Sequence, residues 1–290
     1  MAVYYNIAGY ILEVLKGELG HIPGFSCFSS CPILSDTIIS LRLEEYVSDD
    51  KEMKLIYQFD IENSTCEFLS NDNSYLFRVS KEGIQWLMEI YPEKGKFIAR
   101  TNMDKDTDIP ILRFAIWTAF GIAALHRQIV AIHASAITYN GRSVLFLGES
   151  GTGKSTQSRL WLQHIQGVEL LNDDSPLICI DKEKPPVVWG SPWSGKTPCY
   201  KNKQAPVAAF IRLKQASNNA IKRLRIIEAI GALQPSLPPI FATDPVLSGM
   251  MHECLSSILQ HIPVYYLECL PDEDAANLVY ATLKEDGWIQ

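Results

Sequence analysis

The chain has 290 residues and a formal net charge of −7. Hydrophobic residues make up 47% and charged residues 20%, which is typical of a globular protein and excludes disordered or collagen-like chains. The acidic balance argues against broad nucleic-acid binding, because that function requires a basic face. The seven scattered cysteines, an odd number, favour reduced thiols in a cytoplasmic protein over a disulfide framework.

The sequence offers no membrane segment and no targeting segment that we can identify. The first twenty residues have no basic region and carry Glu13 and Glu18, so we expect no signal peptide. The longest apolar run, residues 114–125, is too short to span a bilayer and predicts a buried helix. We therefore expect a soluble protein without membrane contacts.

Residues 1–107 alternate short β-type runs with polar turns, which predicts a mostly antiparallel β domain. The clearest predicted strands are Thr37–Tyr46, Met53–Ile61, Ser74–Val79 and Lys96–Arg100. A short helix is expected near Lys81–Ile90. The sequence does not indicate what this domain does.

Residues 108–290 have a different pattern, which predicts a second domain of α/β (α+β) class. A helix is expected over Pro110–Arg127, and the strands Ile129–Tyr139 and Ser143–Leu147 are joined by the tight-turn dipeptide Asn140-Gly141. A glycine-rich loop, a helix to about residue 166 and a strand over Val168–Leu171 complete a βαβ-type unit. The later predicted elements are a strand at Val207–Leu213, helices at Arg225–Leu233 and Asp244–Gln260, a strand at Pro263–Cys269 and a helix at Asp272–Lys284.

The glycine-rich loop Gly148–Ser155 (GESGTGKS) matches the pattern G-x-x-x-x-G-K-[ST] and is called the P-loop below. Its position between an apolar strand and a helix is the context that this motif requires. Lys154 is predicted to reach the β- and γ-phosphates of a nucleotide, and the Ser155 hydroxyl to bind Mg²⁺. The residues predicted to contact the polyphosphate are Glu149, Ser150, Gly151, Thr152, Gly153, Lys154, Ser155 and Thr156. The alternative is a glycine-rich turn that caps a helix.

Asp173 and Asp174 end the predicted strand that follows the P-loop helix. The carboxyl ends of parallel strands meet at one edge of a sheet, so both acids are expected beside the P-loop. One carboxylate there can bind the metal ion, and the other can take a proton from an attacking hydroxyl. An ordinary solvated turn is the alternative interpretation. No Asn-Lys-x-Asp signature occurs, which argues against a GTPase.

His133 and Lys196 are two further candidates. Counting outward from Asn140-Gly141 places His133 opposite the start of the P-loop, although a lone histidine in an apolar run is often a core residue. The segment 189–196 is rich in Gly, Pro and Trp and can form either a lid, with Lys196 on the phosphates, or a rigid surface turn. Other candidate phosphate-binding cations are Lys201, Lys203 and Arg212.

These motifs together resemble the catalytic domain of HPr kinase/phosphorylase and its relative, the ATP-dependent phosphoenolpyruvate carboxykinase. The resemblance covers about residues 129–214, through the histidine-bearing strand, the P-loop, the Asp-Asp pair and the Gly-x-Pro-Trp-Ser-Gly segment. It is strongest for the small HPr-kinase-like proteins found beside peptide-modifying gene sets, some of which phosphorylate serine hydroxyls. The resemblance implies a P-loop-containing, mixed-sheet catalytic domain.

Carried over to this sequence, the resemblance also implies individual roles. Lys154 would bind the phosphates, and Ser155 and Asp173 would hold the metal ion. Asp174 would be the general base, and His133 would lie near the transferred phosphoryl group. A carboxykinase is normally far longer and uses additional Lys, His and Arg residues that have no convincing counterpart here.

We therefore expect an ATP- and Mg²⁺-dependent kinase, with Mn²⁺ as an alternative cation. Its acceptor would be a hydroxyl, such as the serine of a peptide, a small protein or a metabolite. Two other functions stay open, namely a carboxykinase-like enzyme and a non-catalytic ATP-binding regulatory module. The identity of the acceptor and the formation of a homo-oligomer are also open.

Overall fold

The computed structural model describes residues 2–31, 37–45, 47, 52–61, 63–181 and 183–290. Within these ranges the protein is mixed α/β, with two large mixed sheets and six α-helices. The chain divides into two compact units, one formed by Met1–Arg127 with Ile240–Ser248 and the other by Gln128–Pro239 with Gly249–Gln290. The domain boundary expected at 107/108 falls inside the first unit.

The first unit contains a nine-stranded sheet. Its strands are β1 (Val3–Ile7), β2 (Tyr10–Lys16), β3 (Ser29–Ser30), β4 (Thr37–Arg42), β5 (Lys54–Ile61), β6 (Ser64–Ser70), β7 (Tyr75–Lys81), β8 (Ile84–Glu93) and β9 (Lys96–Thr101). Their order is β3-β1-β2-β4-β9-β8-β7-β6-β5. The pairs β2–β4 and β4–β9 are parallel and the other pairs are antiparallel, so the sheet is mostly antiparallel, as predicted.

The four strands predicted in this unit correspond to β4, β5, β7 and β9, although Tyr46 lies outside the described residues. The helix predicted near Lys81–Ile90 is wrong, because strand β8 occupies most of that segment. Glu82 and Gly83 have φ values of 51° and 81°, which is the backbone of a two-residue hairpin turn. This turn folds β8 back onto β7, and the cross-strand pairing outweighs the local helical pattern.

Helix α1 (Ile109–Leu125) packs on this sheet against β4, β7 and β9. It starts after Asp108 with a proline in its first turn, as the sequence predicts. The ring of Phe114 lies 5.3 Å from that of Phe59 and 5.6 Å from that of Phe77. Neither α1 nor any other helix in the described part of the chain is long and apolar enough to cross a membrane.

The second unit contains the other sheet. Its strands are β10 (Ile129–Ala131), β11 (Ala134–Tyr139), β12 (Arg142–Leu147), β13 (Glu169–Asp174), β14 (Leu177–Cys179), β15 (Val187–Trp189), β16 (Gln204–Gln215), β17 (Ala220–Arg223) and β18 (Val264–Cys269). The helices that follow α1 along the chain are α2 (Lys154–His164), α3 (Ile226–Leu233), α4 (Pro239–Ala242), α5 (Pro245–His261) and α6 (Glu273–Glu285). The strand order is β10-β14-β15-β16-β12-β11-β13, with β18 beside β16 and β17 beside β18.

The predicted hairpin between β11 and β12 is confirmed, with Asn140 and Gly141 at φ values of 46° and 76°. The run Ile129–Tyr139 is two strands rather than one, because β10 pairs with β14 whereas β11 pairs with β12 and β13. Strand β11 is antiparallel to both of its neighbours, and β16 and β18 run parallel to β12. The strands β12, β13, β16 and β18 therefore end at the same edge of the sheet.

Helices α2 and α6 pack against each other, and their apolar side chains join those of the sheet in one buried cluster. Trp161 on α2 is fully buried, with its ring 6.1 Å from Phe146 and 6.0 Å from Tyr280. The seven cysteines are free thiols, as the sequence predicts. The buried cluster fixes α2, and with it the P-loop, against the sheet.

The chain is tightly packed around Gly190, the residue that follows β15. A Cβ atom at this position would lie 2.0 Å from the carbonyl oxygen of Lys201 and 3.1 Å from that of Leu171. Because both atoms belong to the backbone, we expect Gly190→Ala to lower the free energy of unfolding by about 3 kcal/mol in denaturant titrations. Gly231→Ala is the control, since its Cβ would meet nothing within 4 Å and alanine favours the helix by about 1 kcal/mol. Equal stabilities of the two variants would contradict this packing.

Candidate active site

The P-loop follows β12 and leads directly into α2. Gly151 and Gly153 have φ values of 83° and 107°, which other residues rarely adopt. A Cβ at Gly148 would lie 2.2 Å from Thr152 Oγ1, and the Thr152 hydroxyl donates to the Glu149 carbonyl (2.7 Å). The glycines are therefore required by the backbone path, and the loop is closed by its own hydrogen bonds.

The backbone amides at the N-terminus of α2 have no capping side chain among the described residues, and the helix dipole gives this end positive potential. Gly153 occupies the cap position, no described side chain caps the helix and no acidic residue lies in its first turn. In α6, by contrast, Asp272 accepts a hydrogen bond from the Ala275 amide and two acids follow in the first turn. The free amides of α2 and its helix dipole suit a bound anion such as a phosphate.

Lys154 lies across the P-loop. Its Nζ donates to the carbonyl oxygens of Gly148 (2.8 Å) and Glu149 (3.3 Å) and contacts His133 Nε2 at 2.9 Å. Burial lowers the pKa of Lys154, whereas the charges of Asp174 and Asp173 act in the opposite direction. The ammonium group is therefore desolvated and held at the mouth of the loop.

Asp173 connects the P-loop helix to the end of β13. Its Oδ1 accepts a hydrogen bond from Ser155 Oγ (2.9 Å), and the residue is buried. Its backbone oxygen accepts from the Gly195 amide at 2.6 Å. A carboxylate and a hydroxyl are thus paired at the position predicted for a hard cation.

His133 lies between Lys154 and Asp174. It precedes β11, whose first residue pairs with Leu147, so it lies opposite the start of the P-loop as predicted. Its Nδ1 is 3.2 Å from Asp174 Oδ1, and its Nε2 contacts the Lys154 ammonium. An ammonium group can only donate, so Nε2 is the acceptor, and in a neutral ring the proton is then on Nδ1, the nitrogen that contacts Asp174.

Asp174 has a strained backbone that the sequence did not predict. Its φ of 146° lies in a region that residues other than glycine rarely adopt, at a typical cost of about 1–3 kcal/mol. Pairing with Ala134 of β11 and an isolated bridge to Ser194 hold it in this conformation. Such strain is often found at functional sites, where the surrounding structure fixes a side chain in a required orientation.

The segment Gly190–Cys199 packs against the end of β13 through Asn172, a fully buried side chain. The Asn172 amide nitrogen lies within hydrogen-bonding distance of the carbonyl oxygens of Ser191 (3.3 Å), Trp193 (3.0 Å) and Cys199 (3.5 Å). Its Oδ1 accepts from the Ser175 amide at 3.0 Å. The Asn172 side chain therefore holds both this segment and the backbone directly after the two aspartates. Sequence reasoning missed this residue, because one asparagine before two aspartates has no distinctive pattern.

The other four basic residues that were predicted as candidates for phosphate binding do not all lie at the P-loop. Lys196 is exposed, one residue after the Gly195 amide that binds Asp173, and its side chain has no hydrogen bond or ion pair to a described residue. Lys201 and Lys203 pair with Glu169 at the opposite end of β13, at 3.0 and 3.5 Å. Only Arg212 of the three alternatives reaches the P-loop, through an ion pair with Glu149 at 2.7 Å.

The donor set fits a magnesium-bound nucleotide. Among the described residues there is no group of three or more His, Cys, Asp or Glu side chains that could hold a metal ion by itself. Mg²⁺ commonly binds one or two carboxylates and completes its shell with water and substrate phosphates. Ser155 and Asp173 supply such a partial shell beside the free amides of α2.

Three segments that are distant in sequence form this site, namely the start of β11, the P-loop with α2 and the end of β13. Two short chains of polar contacts join them: a hydrogen bond from Ser155 to Asp173, and a hydrogen bond between Lys154 and His133 that continues in a 3.2 Å contact from His133 to Asp174. No protein-family model and no curated protein sequence matches the chain.

Asn172 provides a test of how the site is held together. We expect Asn172→Ala to lower the free energy of unfolding by about 2–4 kcal/mol, because it removes a buried amide that donates to carbonyl oxygens of residues 191–199 and accepts from the Ser175 amide. Amide hydrogen exchange should increase first in residues 190–199. The control is Asn277→Ala, since Asn277 is exposed and contacts Glu273 at 3.5 Å. Unchanged exchange in residues 190–199 of the Asn172 variant would contradict the role assigned to this side chain.

Proposed function

We propose that this protein is an ATP- and Mg²⁺-dependent kinase that transfers the γ-phosphate to a hydroxyl group of a peptide, a small protein or a metabolite. One observation carries the proposal. Two neighbouring carboxylates face different parts of one phosphate-loop site, since Asp173 is bonded to Ser155 and Asp174 contacts the His133–Lys154 pair. A site that only holds a nucleotide has no need for the second carboxylate.

In the proposed reaction the P-loop amides and the N-terminus of α2 bind the polyphosphate. Ser155 and Asp173 would hold the cation, which when bound neutralises charge on the phosphate oxygens. Lys154 would exchange its present contacts with the Gly148 and Glu149 carbonyls for contacts with phosphate oxygens. Its ammonium then stabilises the negative charge of the transferred group in a partly desolvated site.

Asp174 is the proposed general base. Its Oδ1 lies 3.2 Å from His133 Nδ1, and the carboxylate can accept the proton of an acceptor hydroxyl as that oxygen attacks phosphorus. His133 orients this carboxylate and links it to the phosphate-binding lysine. Because the strained backbone at Asp174 is fixed from two sides, the carboxylate is positioned before substrate binds.

The mixed sheet, the P-loop and the paired aspartates also support the proposal that the second unit has an HPr kinase-like domain arrangement. The support comes from the arrangement of these motifs in the second unit, where β11, the strand that directly follows His133, lies between the P-loop strand β12 and the strand β13 that ends in the two aspartates. The first unit has no proposed chemical role.

Asp174→Asn separates the two proposed carboxylate functions. We expect phosphate transfer to fall by about 10²–10⁴-fold, the usual contribution of a general base. The Kd for ATP should stay within about threefold, because Asp174 is linked to Lys154 through His133 rather than bonded to it directly. Transfer is measured with γ-labelled ATP and a panel of serine-containing metabolites, peptides and HPr-type proteins, and ATP binding by calorimetry.

Asp181→Asn is the matched control, since Asp181 is an exposed carboxylate of the same unit. Loss of ATP binding in Asp174→Asn would make this residue part of the cation site and contradict its role as base. Slow ATP hydrolysis without transfer to any acceptor would instead favour a regulatory module. Release of CO₂ from oxaloacetate with ATP and Mn²⁺ would favour a carboxykinase.

The lowered pKa of Lys154 leads us to expect a particular pH dependence of phosphate binding. Burial places its pKa below the ordinary value of 10.5, and only the protonated form binds an anion. As pH rises through this lowered pKa, affinity for inorganic triphosphate should fall earlier than in Lys154→Arg, whose guanidinium stays charged. Calorimetry of both proteins between about pH 7 and pH 10 checks this, since the titration of the ligand is common to both. Identical profiles would contradict a binding role for Lys154.

A further inference from the structure

The P-loop strand β12 has chemically different neighbours on its two sides. On one side β11 and β13 place His133, Asp173 and Asp174 at the sheet edge. On the other side β16 and β18 end beside the loop, with Arg212 paired in register with Tyr266. The acidic groups and the aromatic ring therefore lie on opposite sides of the loop.

The second side contains a cavity of about 520 Å³, which lies within the range of about 300–1,000 Å³ typical of small-molecule sites. Its lining includes Gly151 and Thr152 of the P-loop together with Arg212, Gln215 and Tyr266. Gln215 Nε2 donates to the Gly151 carbonyl at 3.1 Å, so the end of β16 is tied to the tip of the loop. The cavity is thus continuous with the proposed polyphosphate site.

The proposed chemistry fixes the direction of the nucleotide. The γ-phosphate must lie near Lys154 and Asp174, because the transferred group and the base have to meet there. The rest of the polyphosphate lies along the loop amides, so the nucleoside leaves the loop on the side away from β13. We infer that the cavity between the P-loop and the ends of β16 and β18 holds the nucleoside half of the substrate, stacked on Tyr266; this inference rests on the proposed function.

The side chains of the cavity suit this ligand. The Tyr266 ring is partly exposed, and Lys222 Nζ lies 5.9 Å from its centroid. Stacking on one aromatic ring favours any base, because every base has a π face. Arg212 is paired with Glu149, whose side chain is largely exposed, so the guanidinium can turn to a phosphate or ribose oxygen when a nucleotide binds. We therefore expect tight binding of ATP relative to inorganic triphosphate and little discrimination between ATP and GTP.

Comparing ATP with inorganic triphosphate isolates the nucleoside contribution. In Tyr266→Leu the Kd for ATP, measured by calorimetry with Mg²⁺, should rise about tenfold through lost stacking, while the Kd for inorganic triphosphate stays within about twofold. Tyr266→Phe keeps the ring and should restore ATP binding to within about twofold of the wild type. Tyr91→Leu is the matched control, because it removes a partly buried tyrosine of the first unit that also lies under a cation, Arg100 at 5.4 Å.

The outcomes separate this inference from the proposed function. Equal weakening of ATP and triphosphate in Tyr266→Leu, or no change in either, would overturn the nucleoside site while the P-loop assignment stands. A raised KM for the acceptor with unchanged ATP affinity would overturn it too and assign the cavity to the acceptor. A wild-type protein that binds neither ATP nor triphosphate would overturn the proposed function and this inference together. Should Tyr266→Leu fail to fold, Tyr266→Met provides a second variant without the ring, with ATP weakened and triphosphate unchanged as the supporting result.

Discussion

The shared direction of β12 and β13 is the constraint on which the candidate site depends. Strand β11 lies between them and is antiparallel to both, so the strand before the P-loop and the strand with the acids end at one edge of the sheet. This arrangement brings Asp173 to Ser155 and Asp174 to His133. Reversal of β13 would place the acids at the opposite edge, where Glu169 now pairs with Lys201.

The site is held in a conformation that costs folding free energy. Lys154 is partly buried, which lowers its pKa, and Asp174 has a φ value that non-glycine residues rarely adopt. The compensation comes from buried groups nearby, above all Asn172, whose side chain lies near three carbonyl oxygens of one segment. Groups that are ordered in advance lose less free energy when substrate binds, which links this local strain to the proposed catalysis.

The sequence predicted the parts of the structure that depend on local chemistry. The P-loop motif, the Asn140-Gly141 turn and the position of His133 opposite the loop all follow from short-range patterns, since a two-residue turn fixes the strand register. Strand β8 was predicted as a helix, because its strand form depends on pairing with β7 and β9. The buried contacts of Asn172 and the ion pair of Arg212 with Glu149 were not predicted, since their partners are brought close only by the packed sheet.

The most direct measurement of the central claim is a crystal structure of the protein with a non-hydrolysable ATP analogue and Mg²⁺. The account predicts that the terminal phosphate contacts Lys154 and faces Asp174, and that the cation is bound by Ser155 and Asp173. Phosphates bound away from the P-loop amides, or a cation that leaves Ser155 and Asp173 bonded only to each other, would contradict it.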